Sequence, residues 1–538
     1  MSTEKYLKTN VVVEPLFDKW YAWSHLISPA TAAFNVKKRH MNIINSYIQA
    51  PQVHAAAVKN PAMLGGPFMD LNGQRVDDVK ELKKETLEGQ QDLFELAEAI
   101  ESLEGILEKH DKGYSLEGLY DEIPDVLRGY VELVYDLNNN ASFRIFEPLL
   151  YHSKYYKPAS QSIALWLTDN DERPFVLSTP RLESEDIIHL EIPFNHQGID
   201  ELSKMKRTKG DVFRIKKLLA IKPEQEALFD TFFTDEAPKK YEPYTGDKVR
   251  MRYFGHACIL IETKDTSILV DPVVSYYGYQ QDVERFSDMD LPETIDYVLL
   301  THNHQDHILF ETLLPLRHKI KNIIAPKTTS GSLQDPNLKL MLNSVGFKNV
   351  IELGDFEELK FEDCTLKGIP FIGEHADLNI QSKLCHLVDF GNFSMLFVAD
   401  SCNVEPKLYQ LVNQLVGNAD IIFLGMECEG APLSWLYGPL QSKKMPRDID
   451  RSRTLSGSNF ERGRNLVDAF NPKEVYVYAM GLEPWLKFIS SKQYTDEDHP
   501  IVQSNMLVEY CHENDIISER LFGEKELFYN KEVSAELV

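Results

Sequence analysis

The chain lacks the features that mark secreted, membrane-spanning and thiolate-metal proteins. Its 538 residues include six cysteines with no C-x-x-C pair, so we expect reduced thiols that pack in the interior rather than disulfides or metal ligands. No run of 18 or more apolar residues occurs, which excludes a membrane-spanning helix. The first residues lack the basic start and apolar core of a signal peptide, and we therefore expect a cytoplasmic protein.

Positive charge is also scarce. The chain carries 57 Lys and Arg residues against 83 Asp and Glu residues, a net charge of −26. Such a charge repels phosphate backbones and argues against a nucleic-acid partner. The stretch 441–464 departs from this average, because it holds seven basic and three acidic side chains. We interpret it as a docking patch for an acidic partner or a phosphate-bearing arm, with an ordinary solvated loop as the alternative.

The chain is too long to fold around a single hydrophobic core of ordinary size, so two or three domains are expected. Apolar residues at periods of three to four predict a helical region from Val76 to Asp111, and a second one is predicted from Ser115 to Asn138 with a break at Pro124. A polar, proline-containing segment at 236–243 is typical of a linker.

Beyond this segment, short β-rich stretches alternate with helical connectors, which indicates a layered sandwich. We therefore predict an α+β protein, with a mixed α/β domain at residues 1–240 and a second domain at residues 245–538.

The most informative feature of the sequence is the segment 302–307, HNHQDH, which has the form H-x-H-x-D-H. It follows an apolar strand pattern at 297–300 and precedes a helical pattern at 308–314. Side chains two residues apart on an extended loop share a face, so His302 and His304 can reach one metal ion together. Asp306 and His307 lie where the chain starts to coil and can serve a second ion. The motif therefore predicts half of a dinuclear metal site.

Two metal ions need more ligands than one motif supplies, and the ends of later strands offer them. Glu374 and His375 follow the apolar run 368–372, and Asp400 ends the apolar strand pattern at 395–399. An aspartate in that position can bridge two metals, since each carboxylate oxygen can take one ion. Its alternative role is a helix cap or a turn.

Two further carboxylates lie at strand ends. Asp271 follows the strand pattern at 268–270, and we expect it to hydrogen-bond a loop or to orient a ligating histidine. Glu427 follows the apolar strand pattern at 421–424 and could lie near the site, with an ordinary strand-end carboxylate as the alternative.

Over residues 248–478 the chain resembles the metallo-β-lactamase fold, an αββα sandwich with a dinuclear site between its sheets. The H-x-H-x-D-H motif, the Leu-Val-Asp-Pro element at 269–272 and the strand-ending Asp400 carry this resemblance. Two features depart from the hydrolases of that superfamily: the late strand at 475–478 is followed by no histidine, and Glu374 stands where an imidazole would be expected. Zinc hydrolases favour nitrogen and sulfur donors, whereas hard carboxylates stabilise ferric iron, so the donor set indicates iron.

Nearly the full chain is similar to the di-iron β-hydroxylases associated with nonribosomal peptide synthetases, the CmlA type of antibiotic biosynthesis. The elements at 10–16, 20–26 and 65–68 and the acidic replacement at Glu374 carry this similarity. It implies two iron ions joined by an oxo or hydroxo bridge. The implied ligands are His302, His304 and Glu374 for one iron, Asp306 and His307 for the other, and Asp400 as the bridge.

By the same resemblance, the protein is a monooxygenase that β-hydroxylates an aminoacyl group held as a thioester on a carrier domain of a nonribosomal peptide synthetase. Dioxygen is the co-substrate, and an external donor supplies electrons. Glu374 and Asp400 are the expected catalytic residues, Glu374 because it can change its coordination when the loaded carrier docks. A homodimer is also implied, with domain 1–240 serving dimerisation or carrier recognition.

The alternative is a dinuclear zinc hydrolase of the metallo-β-lactamase superfamily. In that enzyme a bridging hydroxide would attack the substrate, and His375 rather than Glu374 would be the ligand of its loop.

Overall fold

The part of the chain up to residue 240 forms small antiparallel sheets. The computed structural model describes residues 4–110, 113–279, 282–328 and 331–530. The strands of the first part are β1 (Glu4–Leu7), β2 (Val11–Phe17), β3 (Trp20–Tyr21), β4 (Val131–Tyr135), β5 (Ala141–Ile145), β6 (Gln161–Leu167), β7 (Ile188–Leu190), β8 (Gly210–Asp211) and β9 (Phe233–Thr234). They pair as a three-stranded sheet β8-β1-β9, a four-stranded sheet β3-β2-β6-β7 and a hairpin β4-β5.

Helices pack beside these sheets. They are α1 (Ser24–Ile27), α2 (Pro29–Phe34), α3 (Met41–Gln49), α4 (Pro51–Ala57), α5 (Val76–Gly89), α6 (Gln91–Lys109), α7 (Glu147–Tyr151), α8 (Gln197–Lys204), α9 (Val212–Leu218) and α10 (Glu226–Thr231). A π-helical segment, Asn35–His40, joins α2 to α3. The longest helix, α6, buries Leu93, Leu96, Ile100, Leu103 and Leu107. This spacing of three to four residues places the apolar side chains on one face, which packs against α2.

The second part of the chain contains two seven-stranded sheets. Its strands are β10 (Val249–Tyr253), β11 (Ile259–Glu262), β12 (Ser267–Val270), β13 (Ile295–Leu299), β14 (Ile320–Pro326), β15 (Val350–Leu353), β16 (Glu358–Lys360), β17 (Thr365–Ile369), β18 (Cys385–Asp389), β19 (Ser394–Ala399), β20 (Ile421–Gly425), β21 (Glu474–Tyr478), β22 (Ile517–Arg520) and β23 (Lys525–Tyr529). One sheet has the order β15-β14-β13-β12-β11-β10-β23, and the other has the order β16-β17-β18-β19-β20-β21-β22.

The sheets face each other and are covered by helices on their outer sides. The helices of this part are α11 (Phe310–Leu316), α12 (Leu338–Ser344), α13 (Pro406–Val416), α14 (Ser434–Tyr437), α15 (Arg447–Ser452), α16 (Phe460–Phe470), α17 (Lys487–Ser490) and α18 (His499–Glu513). Met251 and Phe397 belong to the core between the sheets. Val412 and Leu466 pack with Ile422 on the outer side of the second sheet. Strands that are covered on both faces bury nearly every residue, as β20 does.

The strand directions bring the site-forming loops together. Strands β12 to β15 run parallel in the first sheet, and β19 to β22 run parallel in the second. Strands β10 and β17 are each separated from these by one antiparallel neighbour, so they point the same way. The loops after these strands therefore emerge at the carboxyl ends, where α/β sheets place their ligands.

The two parts of the chain share one hydrophobic core. Phe34 and Phe194 of the first part belong to the same buried cluster as Leu313 and Met341 of the second. A buried ionic network adds to this core: Arg173 lies 2.8 Å from Glu14 of β2 and 2.8 Å from Glu311 of α11. The Tyr21 and Tyr276 hydroxyls also donate to Glu311. The network joins the first part directly to the helix that follows the H-x-H-x-D-H segment.

The predicted α+β class and the αββα sandwich are confirmed. The helical region from Val76 corresponds to α5 and α6, with Asp111 outside the described residues. The helix predicted from Ser115 to Asn138 is wrong, because the alternating Val131–Tyr135 segment forms β4 and pairs with β5. Short 3-10 turns flank Pro124 instead.

The domain boundary between residues 240 and 245 remains a proposal, and no strand pairing crosses it among the described residues. In the part of the chain that the structure describes, no helix has both the length and the apolar character needed to cross a bilayer.

We predict that Arg173→Met destabilises the fold. The substitution removes the cation that pairs with the buried Glu311, whereas Glu14 keeps Arg181. Loss of one partner of a buried ionic network costs about 3–5 kcal/mol. Unfolding in urea, followed by circular dichroism, measures this loss. The control is Lys84→Met, which removes an exposed ion pair with Glu81 and should change the stability by less than about 1 kcal/mol. Equal effects of the two substitutions would contradict the role of the network.

Candidate metal centre

Histidine and carboxylate side chains meet at the edge where the parallel strands end. The loop after β13 carries His302, His304, Asp306 and His307, the loop after β17 carries Glu374, and Asp400 directly follows β19. The structure brings all six predicted residues together, in three overlapping groups of possible ligand atoms.

The first group consists of His302, His304 and Glu374, whose ligand atoms lie within 4.8 Å of one another. His304 Nδ1 is 3.1 Å from Glu374 Oε1, and His302 Nε2 is 3.8 Å from Glu374 Oε2. The other nitrogen of each ring has its own contact, His302 Nδ1 with Thr301 Oγ1 at 3.0 Å and His304 Nε2 with the Tyr437 hydroxyl at 3.3 Å. Both rings are therefore held with one nitrogen facing Glu374.

The second group shares a residue with the first. Asp400 Oδ2 lies 3.7 Å from His302 Nε2 and 3.1 Å from His307 Nε2. One carboxylate thus contacts an imidazole from each half of the H-x-H-x-D-H motif. This position suits a bridge between two metal ions.

The buried donor atoms fit a metal ion. His302 Nε2, Glu374 Oε2 and Asp400 Oδ1 are all buried, and none makes a hydrogen bond. Unpaired buried polar atoms are costly and require a partner. The donors are imidazole nitrogens and carboxylate oxygens, a set that binds iron in non-haem oxygenases.

Asp271 hydrogen-bonds the loop that carries the ligands and contacts a ligand histidine, as expected. Its carboxylate accepts hydrogen bonds from the Thr301 backbone N–H at 2.8 Å and from the Thr301 hydroxyl at 2.5 Å. It also lies 2.8 Å from His307 Nδ1. A carboxylate on the far nitrogen of a histidine fixes the tautomer and leaves Nε2 free for a metal.

His256 is a residue of the site that the sequence pattern did not reveal. It lies after β10, is 2% exposed, and places its Nε2 3.3 Å from Asp306 Oδ2. His256, Asp306 and His307 form the third group of possible ligand atoms. Its backbone carbonyl accepts from the N–H of Ala479, the residue that follows β21. An imidazole thus approaches the site close to the late strand that has no histidine. The only sequence signal was a histidine in a short turn, Gly255-His256, between two strands.

Backbone strain is concentrated in the loops of the site. His256, Asp271, Glu374 and Ala399 all have positive φ, at 53°, 38°, 65° and 50°. Side-chain-bearing residues rarely adopt this region, which costs of order 1–3 kcal/mol per residue. Such strain persists only where the surrounding structure fixes the conformation, and it holds the ligand side chains in one direction.

The pKa shifts of the buried side chains also favour a bound cation. Burial raises the pKa of Glu374 to about 7 and lowers the pKa of His302 well below its usual value. Burial alone would lower the pKa of His307, but the Asp400 and Asp271 carboxylates raise it well above the usual value. A metal cation bound by these groups would displace their protons and balance the charge of the buried carboxylates.

A large cavity leads to this site. It has a volume of about 1100 Å³ and reaches His304, Asp306, Glu374 and Asp400. One wall comes from the first part of the chain, including the segment 61–68, and the others come from the segments 427–436 and 490–495. Phe175, Leu177, Leu455 and Met480 are among its apolar side chains.

Two residues left open by the sequence can now be placed. His375 is 1% exposed and stacks on His304, with ring centroids 4.5 Å apart, but it belongs to none of the three ligand groups found among the described residues. Glu427 lines the cavity together with Asp400.

In the stretch 441–464, Lys443, Lys444, Arg447 and Arg451 are exposed. Lys443 pairs with Glu108, and Arg464 pairs with Asp468. Arg453 donates to the Ala376 carbonyl in the loop that carries Glu374. Several cations of the stretch thus have structural contacts, and the docking interpretation stays a prediction.

Comparison with known proteins covers both parts of the chain. Residues 6–238 match the family model described as the diiron non-heme beta-hydroxylase N-terminal domain, and residues 266–430 match the beta-lactamase superfamily domain. The 4-amino-L-phenylalanyl-[CmlP-peptidyl-carrier-protein] 3-hydroxylase of Streptomyces venezuelae is 41% identical over 525 residues, which span 96% of this chain and 98% of the relative. An uncharacterised protein family member from Pyrococcus abyssi, UPF0173 protein PYRAB01190, is 35% identical over 127 residues, 24% of this chain and 50% of the relative.

Solved structures give the same result. The crystal structure of CmlA, a diiron beta-hydroxylase from Streptomyces venezuelae, superimposes with a TM-score of 0.92 at 40% identity. The superposition covers 97% of this chain and 99% of the other. Fold and sequence therefore agree over nearly the whole length.

We predict that Glu374→Ala lowers the metal content by about one ion per chain, because it removes a donor of the first group. The neighbouring substitution His375→Ala is the matched control, and it should leave the metal content unchanged. Elemental analysis of the purified proteins measures both. Loss of metal from His375→Ala alone would show that His375, and not Glu374, is the ligand.

Proposed function

The chain belongs to the CmlA-type di-iron non-haem β-hydroxylases, and we propose that its substrate is an aminoacyl group tethered as a thioester to a carrier domain of a nonribosomal peptide synthetase. The observation that carries this proposal is the match over 96% of the chain to a relative named for hydroxylating a carrier-bound aminoacyl group. The family assignment favours an oxygenase over the dinuclear zinc hydrolase.

We propose the following division of ligands between the two irons of the family. His302, His304 and Glu374 hold one iron, Asp306 and His307 hold the other, and Asp400 bridges them. The 3.7 Å and 3.1 Å contacts of Asp400 with His302 and His307 support the bridging role. When bound, the two irons would supply the activation of dioxygen, with electrons from an external donor, and the oxidation of a C–H bond.

The surrounding residues would hold these ligands in place. Asp271 holds His307, and the Tyr437 hydroxyl contacts the far nitrogen of His304. His256 contacts Asp306 at 3.3 Å and would orient that carboxylate. Ligand positions are thereby fixed before substrate arrives, as pre-organised catalytic sites require.

Glu374 and Asp400 are the proposed catalytic residues. Glu374 is the carboxylate best able to change its contacts. Its Oε2 lies 3.1 Å from His375 Nδ1 but makes no hydrogen bond, and its backbone is strained at φ 65°. A shift of this side chain on substrate binding would open a coordination position for dioxygen. Asp400 would remain in place between the two metal positions.

The cavity suits a tethered substrate. At about 1100 Å³ it is at the upper end of ordinary small-ligand sites, so it has room for an aminoacyl group and part of the arm. Its apolar side chains can exclude water around the carbon to be hydroxylated. The first part of the chain contributes a wall through the segment 61–68, and we propose that residues 1–240 take part in carrier recognition. A homodimer and a cytoplasmic location are further proposals that rest on the resemblance alone.

We predict that the protein purified after growth with ample iron contains about two irons per chain, as the family does. It should show a near-ultraviolet charge-transfer absorption and should form a β-hydroxylated aminoacyl carrier only with dioxygen and a reductant. Elemental analysis, optical spectroscopy and mass spectrometry of the carrier measure these outcomes. Two zinc ions together with hydrolysis that continues without oxygen would overturn the assignment in favour of the hydrolase.

A further inference from the structure

Glu427 is a carboxylate of the cavity that the metal ligand groups do not use. It lies two residues beyond β20, and its backbone carbonyl accepts from the Gly457 N–H at 2.7 Å. Gly457 also lies against the backbone of Asp400, since a Cβ placed there would be 3.6 Å from the Asp400 carbonyl oxygen. Gly457 therefore lies against the backbone of both Glu427 and Asp400, the proposed bridging ligand.

The side chain of Glu427 is a mostly buried carboxylate that can bind a cation. It is 16% exposed, and Lys492 Nζ lies 3.4 Å from its Oε1. The Tyr494 hydroxyl donates to the other oxygen. Burial raises the pKa of Glu427, and Lys492 opposes that rise. The Glu429 backbone N–H also donates to Oε1 at 3.2 Å, and a positive partner further favours the charged form of this carboxylate.

Lys492 is a partner that can be replaced. Its side chain is 32% exposed, and its contact with Glu427 is long. Its ammonium group also donates to the Glu429 carbonyl at 3.2 Å. A lysine at this exposure can move its charge into solvent at small cost. A cation held deep in the cavity cannot, so it would compete effectively for Glu427.

The proposed substrate carries one such cation close to the reacting atom. In an aminoacyl thioester, the α-carbon alone separates the ammonium nitrogen from the β-carbon. When the β-carbon faces the metal ligands, the ammonium must therefore lie beside them. Among the described residues that line the cavity, the acidic side chains outside the ligand groups are Glu427 and Glu429, and Glu429 is exposed.

On the basis of the proposed function, we propose that Glu427 binds the free α-ammonium group of the aminoacyl substrate in place of Lys492. The enzyme then selects aminoacyl groups with an unmodified amine and rejects N-acylated and peptidyl groups. Hydroxylation must accordingly precede the condensation reaction that converts this amine into an amide.

Binding of stable substrate analogues tests the proposal. The probes are phosphopantetheine amides of aromatic, aliphatic and polar amino acids, each with a free and with an N-acetylated amine. The wild-type protein should bind at least one free-amine probe about tenfold or more tightly than its acetylated form, as loss of a charge-assisted hydrogen bond predicts. Calorimetry under anaerobic conditions measures the affinities.

Three variants separate recognition from structure. Glu427→Gln should weaken binding of the free-amine probe by about tenfold or more and leave the acetylated probe unchanged. Glu429→Gln is the matched control and should change neither affinity. Lys492→Met should bind the free-amine probe at least as tightly as the wild type, because it removes the competing cation. Iron content and circular dichroism of each variant check that the site and fold are retained.

The outcomes are distinct. Equal affinity of the wild type for free and acetylated probes would overturn the role of Glu427 and leave the proposed function standing. Weaker binding of both probes by Lys492→Met would show that the Glu427–Lys492 pair serves only to hold the cavity wall. Failure of the wild type to bind any probe would contradict the proposed function itself.

Discussion

Carboxylates lie at the carboxyl ends of the strands of two buried sheets, and their negative charge must be balanced. The rest of this structure depends on this one constraint. Glu374 and Asp400 are buried beside His302, His304 and His307, and Asp306 faces the same space. Without a cation, His302 Nε2, Glu374 Oε2 and Asp400 Oδ1 are buried without a hydrogen bond. Two metal ions satisfy the donors and their charge at once, so the chain accepts strained backbone at the loops that carry them.

Packing and an ionic network connect the first part of the chain to the loop that carries the metal ligands. Its core is continuous with the helices that cover the first sheet, and Arg173 joins Glu14 to Glu311, four residues beyond His307. The same part supplies a wall of the cavity over the metal centre. The first part of the chain thus contacts both the cavity and the helix that follows the ligand loop. In the αββα sandwich alone, the site would be more open to water.

Local patterns predicted the second part of the chain well and the first part less well. The apolar runs at 297–300, 421–424 and 475–478 form β13, β20 and β21, because a strand covered on both faces must be apolar at nearly every position. The Ser115–Asn138 segment was misread, since its alternating Val131–Tyr135 pattern is short and depends on pairing with β5.

The sequence by itself determined the metal-binding character of the protein. The H-x-H-x-D-H spacing brings two pairs of donors to one loop, and Asp271, Glu374 and Asp400 each follow an apolar strand, so local geometry alone restricts where they can point. Only the tertiary structure decided which more distant residues join them. His256 lies in the turn after β10 and Tyr437 ends α14, and no short-range pattern marks either residue as part of the site. His256 reaches the site because β10 ends at the same edge as the parallel strands of the two sheets, an arrangement that depends on the packing of the whole sandwich.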